Sequence, residues 1–338
     1  MESRIKLFDK ITHDLLYLDD KEILDLTTVK SNEIKWGETG IIKLNRNKIF
    51  FKKIPIAKLF YSSQFDTSNL YDLPTYYNYG FGSAGINPWR ELDTHINVTK
   101  WVLTGECKHF PLLYHYRIVK DNEKNFNKGD SPKLMERYGN DKNILKYLND
   151  RFNCEYKIIC FLEFIPYVLY NYIKKYRDYF PKVISQINLI LDFLESKGIL
   201  HTDAHWGNYL VDSKSQVYIT DFGLLLDKNF KLDSREKKFF KLNIELPRYY
   251  LAAEVYDNFV YTIKLKSKLK KFINELSESN DSQDLIEVII ESASSINELL
   301  RLPKSYIDYM KRYKNKIIAK KMLKVNLVNK KNKNTVYL

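Results

Sequence analysis

Residues 199–224 read ILHTDAHWGNYLVDSKSQVYITDFGL, and the spacing of the polar residues in this stretch decides what fold can surround it. His201-x-Asp203 closes a short apolar run. Asn208 follows five residues after Asp203, and Asp221-Phe222-Gly223 comes 18 residues after Asp203. YLV and VYIT flank the polar turn DSKSQ and predict two short paired strands. A strand ending at Leu200 delivers Asp203 into a loop whose far end carries the Asn208 amide. The hairpin then reverses the chain and returns Asp221 beside Asn208. Two oxygen ligands and a third carboxylate are what a magnesium-bound triphosphate requires. The spacing therefore predicts Asn208 and Asp221 as metal ligands, and Asp203 as the group that orients an acceptor hydroxyl and takes its proton.

Working outward, Val183, Ile184, Ile187, Ile190, Leu191 and Leu194 recur at helical spacing, and Gly198 stops the run. Downstream, Asp233-Ser234 caps a helix beginning at Arg235, and helical patterns continue through 234–325. Upstream, residues 33–54 predict three short strands broken by Gly37, Gly40 and the turn Asn45-Arg46-Asn47. Ser62 to Pro88 reads as a loop with Gly80, Gly82 and Gly85. A helix is predicted over Trp89–Leu103, with Pro88 at its start. Phe110–Val119 and Tyr156–Leu162 are strand candidates, and the polar stretch 121–150 between them reads as an insertion. No repeat of 20–50 residues is visible. The fold class is α+β, β-rich before Glu163–Pro166 and mainly helical after it.

His201-Thr202-Asp203, Asn208 and Asp221-Phe222-Gly223 together resemble the catalytic and metal-binding loops of the protein-kinase-like superfamily. The resemblance implies a bilobal fold, with a β-rich N-lobe over residues 1–163, a mainly helical C-lobe over 164–300, and a basic extension over 301–338. It also implies ATP and Mg2+. Ile49-Phe50-Phe51-Lys52-Lys53-Ile54 resembles the V-A-I-K strand and puts Lys52 on the nucleotide phosphates. Lys53, on the opposite face of the strand, is the competing choice, and Phe50 stands where the family has alanine over adenine. The resemblance implies a carboxylate partner for this lysine on the next helix: Glu91, with Asp93 as its competitor. Glu163-Phe164-Ile165 resembles the hinge whose backbone binds adenine. Gly37-Glu38-Thr39-Gly40 is the sparse counterpart of the phosphate-covering loop.

A G-x-G-x-x-G at Gly80, Gly82 and Gly85 lies after the lysine strand, as either a phosphate cradle or a tight loop before the helix. No βαβ unit surrounds it, which excludes a dinucleotide-binding motif. HTDAHWGN also resembles the H-G-D-x-H-x-x-N loop of aminoglycoside- and choline-type phosphotransferases. His205 is therefore a candidate for contact with the transferring phosphate, or else it packs in the loop; His201 reads as a hydrogen-bonding residue of the framework. A-P-E and D-x-W-x-x-G are missing after Asp221. The implied activity is transfer of a γ-phosphate to a hydroxyl, with protein Ser/Thr as the first reading of the acceptor. A small-molecule alcohol is the alternative, and a nucleotide-binding scaffold without turnover is the rival of another class.

The composition, 44% hydrophobic and 29% charged, is that of a globular chain. Its three cysteines, Cys107, Cys154 and Cys160, form no C-x-x-C, which leaves neither a disulfide framework nor a zinc ribbon. No secretory h-region opens the sequence and no stretch is long and apolar enough to span a bilayer, which predicts a cytoplasmic protein. The net charge of +13 is concentrated: residues 301–338 hold 12 Lys/Arg against the single acid Asp308. This basic segment is a candidate for contact with an anionic membrane or another polyanion, and the sequence contains no specific nucleic-acid-binding motif.

Overall fold

The computed structural model describes residues 2–28, 38–79, 85–121, 141–176, 179–248, 250, 251 and 254. In chain order the elements are α1 (Glu2–Leu16), α2 (Asp20–Leu26), β1 (Glu38–Leu44), β2 (Asn47–Ile56), α3 (Lys58–Ser62), a 3-10 turn (Thr75–Tyr79) and α4 (Pro88–Leu103). Next come β3 (Leu113–Lys120), α5 (Lys142–Phe152), β4 (Tyr156–Glu163), β5 (Tyr167–Val168), α6 (Leu169–Lys175) and α7 (Phe180–Lys197). They are followed by β6 (Ile199–Leu200), a 3-10 turn (Trp206–Asn208), β7 (Tyr209–Val211), β8 (Val217–Ile219), β9 (Leu226–Asp227) and α8 (Ser234–Asn243).

The first half of the chain is built on a four-stranded antiparallel sheet in the order β1-β2-β4-β3. The region expected to form three strands contains two, β1 and β2, within its described part. They pair from Leu44↔Asn47 outward across a two-residue turn in which Asn45 and Arg46 both have positive φ, 47° and 69°. That is the turn whose own twist matches the twist of a hairpin.

β4 is buried along almost its whole length because both faces of the sheet are covered. Ile54, Ile56, Ile158, Cys160 and Leu162 join α4 and α5 in one apolar cluster. Ile49, Phe51, Ile159 and Phe161 join Ile11, Leu15 and Ile23 of α1 and α2 in the other. Thr12 of α1 donates to the Tyr114 carbonyl at 2.8 Å, which fastens the helix along β3.

The insertion read over 121–150 is partly a packed helix. α5 buries Ile144, Tyr147, Leu148 and Arg151, the i, i+3, i+4 stripe of an amphipathic helix; residues 122–140 lie outside the described residues. α4 begins as its sequence predicts, with the Asn87 side chain accepting from the Trp89 N–H and Pro88 in the first turn.

After Glu163 the helices α6, α7 and α8 surround two small sheets. β5 pairs β7, which pairs β8, and β6 pairs β9. α7 ends at Gly198, φ 73° and ψ 41°, where a side chain would meet both the left-handed backbone and the Lys228 stem. The helical pattern read beyond residue 254, and the basic segment 301–338, lie outside the described residues.

Candidate functional site

β6, the 3-10 turn and the β7–β8 hairpin bring the three spaced residues together as local hydrogen bonding dictates. The Asn208 side-chain nitrogen donates to the Asp203 carbonyl at 2.8 Å and to its Oδ2 at 3.3 Å. The Thr220 N–H donates to the Asn208 carbonyl at 2.9 Å, which sets the end of the hairpin beside the loop. With its nitrogen committed to Asp203, Asn208 keeps its side-chain oxygen as the remaining ligand atom. Burial raises the Asp203 pKa above the ordinary carboxylate value, against the lowering effect of His205 and His201, while the nearby Asp221 charge adds to the rise. A carboxylate so placed is a better proton acceptor than one in water.

Asp221 has φ +62°, a left-handed conformation that costs a non-glycine residue about 1–3 kcal/mol. Its Oδ1 receives the Lys52 ammonium at 2.8 Å, and the same ammonium lies 2.5 Å from Glu91 Oε1. Lys52 comes from the middle of β2 and Glu91 from the first turn of α4, so sheet, helix and hairpin meet at one nitrogen. Burial works against the Lys52 charge, but Asp221 and Glu91 overcome it and raise the pKa above the ordinary lysine value. The Lys52 charge in turn lowers Asp221 to about 2, against the opposing effect of desolvation. Although packed among protein groups, the Asp221 side chain is 49% exposed: an ionised carboxylate with a free side.

Lys53 is placed elsewhere. Its ammonium reaches Asp121 at 2.9 Å and Glu38 at 3.2 Å on the opposite face of β2. Asp93, the competitor of Glu91, accepts from Asn97 at 2.8 Å.

His201 is a framework residue. Its Nε2 is 3.0 Å from the Thr220 carbonyl, so that nitrogen carries the proton, and its Nδ1 accepts from the Asp203 N–H at 3.4 Å. His205 caps the 3-10 turn, its Nδ1 accepting from the Gly207 N–H at 3.0 Å. Its Nε2 stands 3.8 Å from Asp203 Oδ2. One ring nitrogen of His205 is thus packed in the loop and the other is turned toward the Asp203 carboxylate. Phe222 is buried edge-on to His201 (5.9 Å) and His95 (4.9 Å).

Glu163 ends β4 with its N–H bonded to the Leu112 carbonyl at 2.8 Å. Its carboxylate is gripped by Arg4 of α1, through Nε to Oε1 at 2.8 Å and Nη2 to Oε2 at 2.5 Å. Arg4 also donates to the Phe110 carbonyl at 2.5 Å. The two residues on, Phe164 and Ile165, complete the crossing to the helical half, with Ile165 buried. Phe50 lies opposite Leu162 in the β2–β4 register. Gly40 sits on β1 against the Phe51 ring; Gly37, Gly80 and Gly82 lie outside the described residues.

Three participants escape sequence reading. Arg4 is an isolated arginine in an otherwise ordinary amphipathic helix. Arg90 is buried beside Glu91 and ion-paired to Glu236. His95, one turn after Glu91 on the same face, carries the only available signal, the i, i+4 spacing. Among the described residues no cluster of three His, Cys, Asp or Glu side chains is arranged to hold a metal ion. A cation at Asp221 and Asn208 would therefore complete its shell with oxygens from outside the chain, as magnesium does with phosphate and water.

Residues 103–267 match the family model described as protein tyrosine and serine/threonine kinase. The match supports a protein-kinase-like superfamily for this chain. The matched span contains Asp203, Asn208 and Asp221. Lys52 and Glu91 lie ahead of that span, so their pairing with Asp221 is a separate, geometric observation. Among the described residues no helix is long and apolar enough to cross a membrane.

Proposed function

We propose that this kinase transfers the γ-phosphate of magnesium-bound ATP to a hydroxyl, with a protein Ser/Thr side chain as acceptor. The observation that carries the proposal is the junction at Lys52, where Glu91 of the sheet half and Asp221 of the helical half converge on one ammonium. Such a junction places a fixed positive charge next to an ionised carboxylate with an open side, the two elements that phosphate oxygens and a divalent cation need.

In this reading Asp221 and the Asn208 oxygen hold the cation, which when bound neutralises charge on the phosphates. Lys52 binds the α and β phosphates and Glu91 fixes its ammonium. Adenine is taken by the Glu163 carbonyl and the Ile165 N–H, since the Glu163 N–H is already used in the sheet. Gly40, on β1, and Gly37, ahead of it in the sequence, are the glycines assigned in this reading to covering the phosphates. Asp203 orients the acceptor hydroxyl and receives its proton at a carboxylate oxygen, and its raised proton affinity suits that role. His205 Nε2, turned toward Asp203, stands where it can contact the group being transferred.

The protein acceptor is favoured by the family match, whose members act on protein hydroxyls. The second reading, a small-molecule alcohol, rests on the HTDAHWGN loop and on the direct docking of α8 soon after Gly223. The test is incubation with γ-labelled ATP and Mg2+ against a peptide library and a panel of hydroxylated metabolites, read by mass spectrometry. Transfer to peptides that Asp221→Ala abolishes is the expected result. Unchanged transfer in that variant overturns the mechanism, and binding of ATP without turnover in the wild type would make the chain a scaffold.

A further inference from the structure

The Arg90 guanidinium is one of the most enclosed charges in the molecule. Its Nη1 and Nη2 donate to the two carboxylate oxygens of Glu236 at 2.6 and 3.1 Å, with both side chains only 2% exposed. Its Nε donates to the Thr67 carbonyl at 2.6 Å, and the group lies over the Phe230 ring, 5.5 Å from its centroid. Each of the three guanidinium nitrogens therefore has a partner. Glu236 is doubly used as well: it is the N3 residue of α8, and its Oε2 accepts from the N–H of the cap residue Asp233 at 3.1 Å.

The pair joins α4 to α8, elements far apart in the sequence. Arg90 is the residue before Glu91 in the first turn of α4, and Glu236 lies 13 residues beyond Gly223. Around it the segments that lead into these two helices are tied as well. The Ile86 N–H, just ahead of α4, donates to the Gly223 carbonyl at 2.9 Å. Gly85 has φ +81°, and a Cβ there would come within 3.4 Å of that carbonyl. Thr67, whose carbonyl holds Arg90, also accepts from the Lys231 N–H through Oγ1 at 3.0 Å. Glu91 thus follows directly on two tethers, a backbone one at 86–223 and a charged one at 90–236, and both run to the segment that follows Asp221.

We propose that Arg90 and Glu236 are positioning residues: their buried pair docks α8 on α4 and thereby holds Glu91 against Lys52, so that the Lys52 junction assembles without modification of the chain. This rests on the functional reading above for its effect on turnover, though not for its effect on Lys52 itself. A removed partner leaves a buried charge unpaired and shifts the start of α4. Glu91 moves with it, and even a 1 Å displacement in such a site costs up to about 100-fold in rate.

The test uses the full chain and two readouts. The first is the acylation rate of Lys52 by an amine-reactive probe without nucleotide, followed by peptide mass spectrometry. The second is phosphotransfer from Mg-ATP. In Arg90→Met the expected result is faster acylation of Lys52 and a kcat lowered about 10-fold or more, with KM for ATP changed far less. Glu236→Gln, which keeps the cap and the volume, should move both in the same direction by less, and it decides the matter if Arg90→Met fails to fold.

Arg248→Met is the control for general destabilisation, because it breaks a different ion pair, with Asp192 and Glu195 of α7. Lys52 acylation unchanged in folded Arg90→Met or Glu236→Gln overturns the proposal, as does equal acceleration in Arg248→Met. Should the wild type transfer no phosphate at all, the Lys52 readout still decides the coupling, and only the functional reading falls.

Discussion

Lys52 and Lys53 are neighbours in sequence, and each sits in a cluster of carboxylates, yet the two clusters have opposite characters. Lys53 shares Asp121 and Glu38 with Lys157 in a group where the two lysines and Asp121 are 2–5% exposed. Two positive and two negative side chains balance there. Around Lys52 one positive side chain meets two negative ones, and the Asp221 carboxylate is half exposed. The enclosed cluster joins strand β2 to β1, β4 and the end of β3. The open one carries a surplus of negative charge beside a fixed cation, which is a reason for a metal-bound polyphosphate to enter. Alternation along a strand is enough to separate the two roles by a single residue.

The sharpest way to break this comparison is to remove each ammonium in turn. Lys52→Met should lower phosphotransfer by about 100- to 1,000-fold, the usual cost of one electrostatic element of a transfer site, while denaturant unfolding shifts little. Lys53→Met should do the reverse. Stripping one partner from a buried ionic group costs about 3–5 kcal/mol, seen as a lower denaturation midpoint, with the activity of the protein that remains folded nearly intact. Equal effects of the two substitutions on activity would abolish the distinction.

A second measurement sharpens it from behind the open cluster. Burial, and then the Lys52 charge, lower His95 from its ordinary 6.5 to about 3. In the folded state it is therefore neutral, and as pH falls through 6.5 the unfolded chain takes up a proton that the native chain refuses. Stability is thus complete above that pH and lost below it, by about 2 kcal/mol between pH 7 and pH 5. His95→Leu should flatten that part of the stability–pH curve; an unchanged slope would show that His95 takes its proton in the folded state.

The smallest effect concerns His205, whose charge lowers the Asp203 pKa. In His205→Ala the carboxylate should hold its proton more tightly, moving the acidic limb of the pH–rate profile upward by under about 1 unit. A limb that stays in place would detach His205 from Asp203.

How much of this was legible in the sequence follows from the range of each interaction. Asp203, Asn208 and Asp221 lie within one strand–loop–hairpin unit, so their spacing dictates their meeting. Lys52 and Glu91 needed the family pattern, because a strand and a helix 39 residues apart carry no mutual spacing rule. α5 was hidden by the polar stretch ahead of it, although Ile144, Tyr147, Leu148 and Arg151 have helical periodicity. Arg90–Glu236 and Arg4–Glu163 were illegible. A buried arginine looks like any surface arginine until its partner, 146 or 159 residues away, is brought to it.

The Arg4–Glu163 grip has a consequence for how the chain is made. α1 leaves the ribosome 159 residues ahead of the carboxylate it holds, and further ahead of Tyr218, over whose ring Arg4 lies. During synthesis the apolar stripe of Ile11 and Leu15 waits in a nascent chain for a sheet not yet translated. A contact of such high sequence separation is closed late and slowly. The helix that braces the crossing between the two halves is thus translated well before the partners that fix it in place, and it needs shelter while it waits for them.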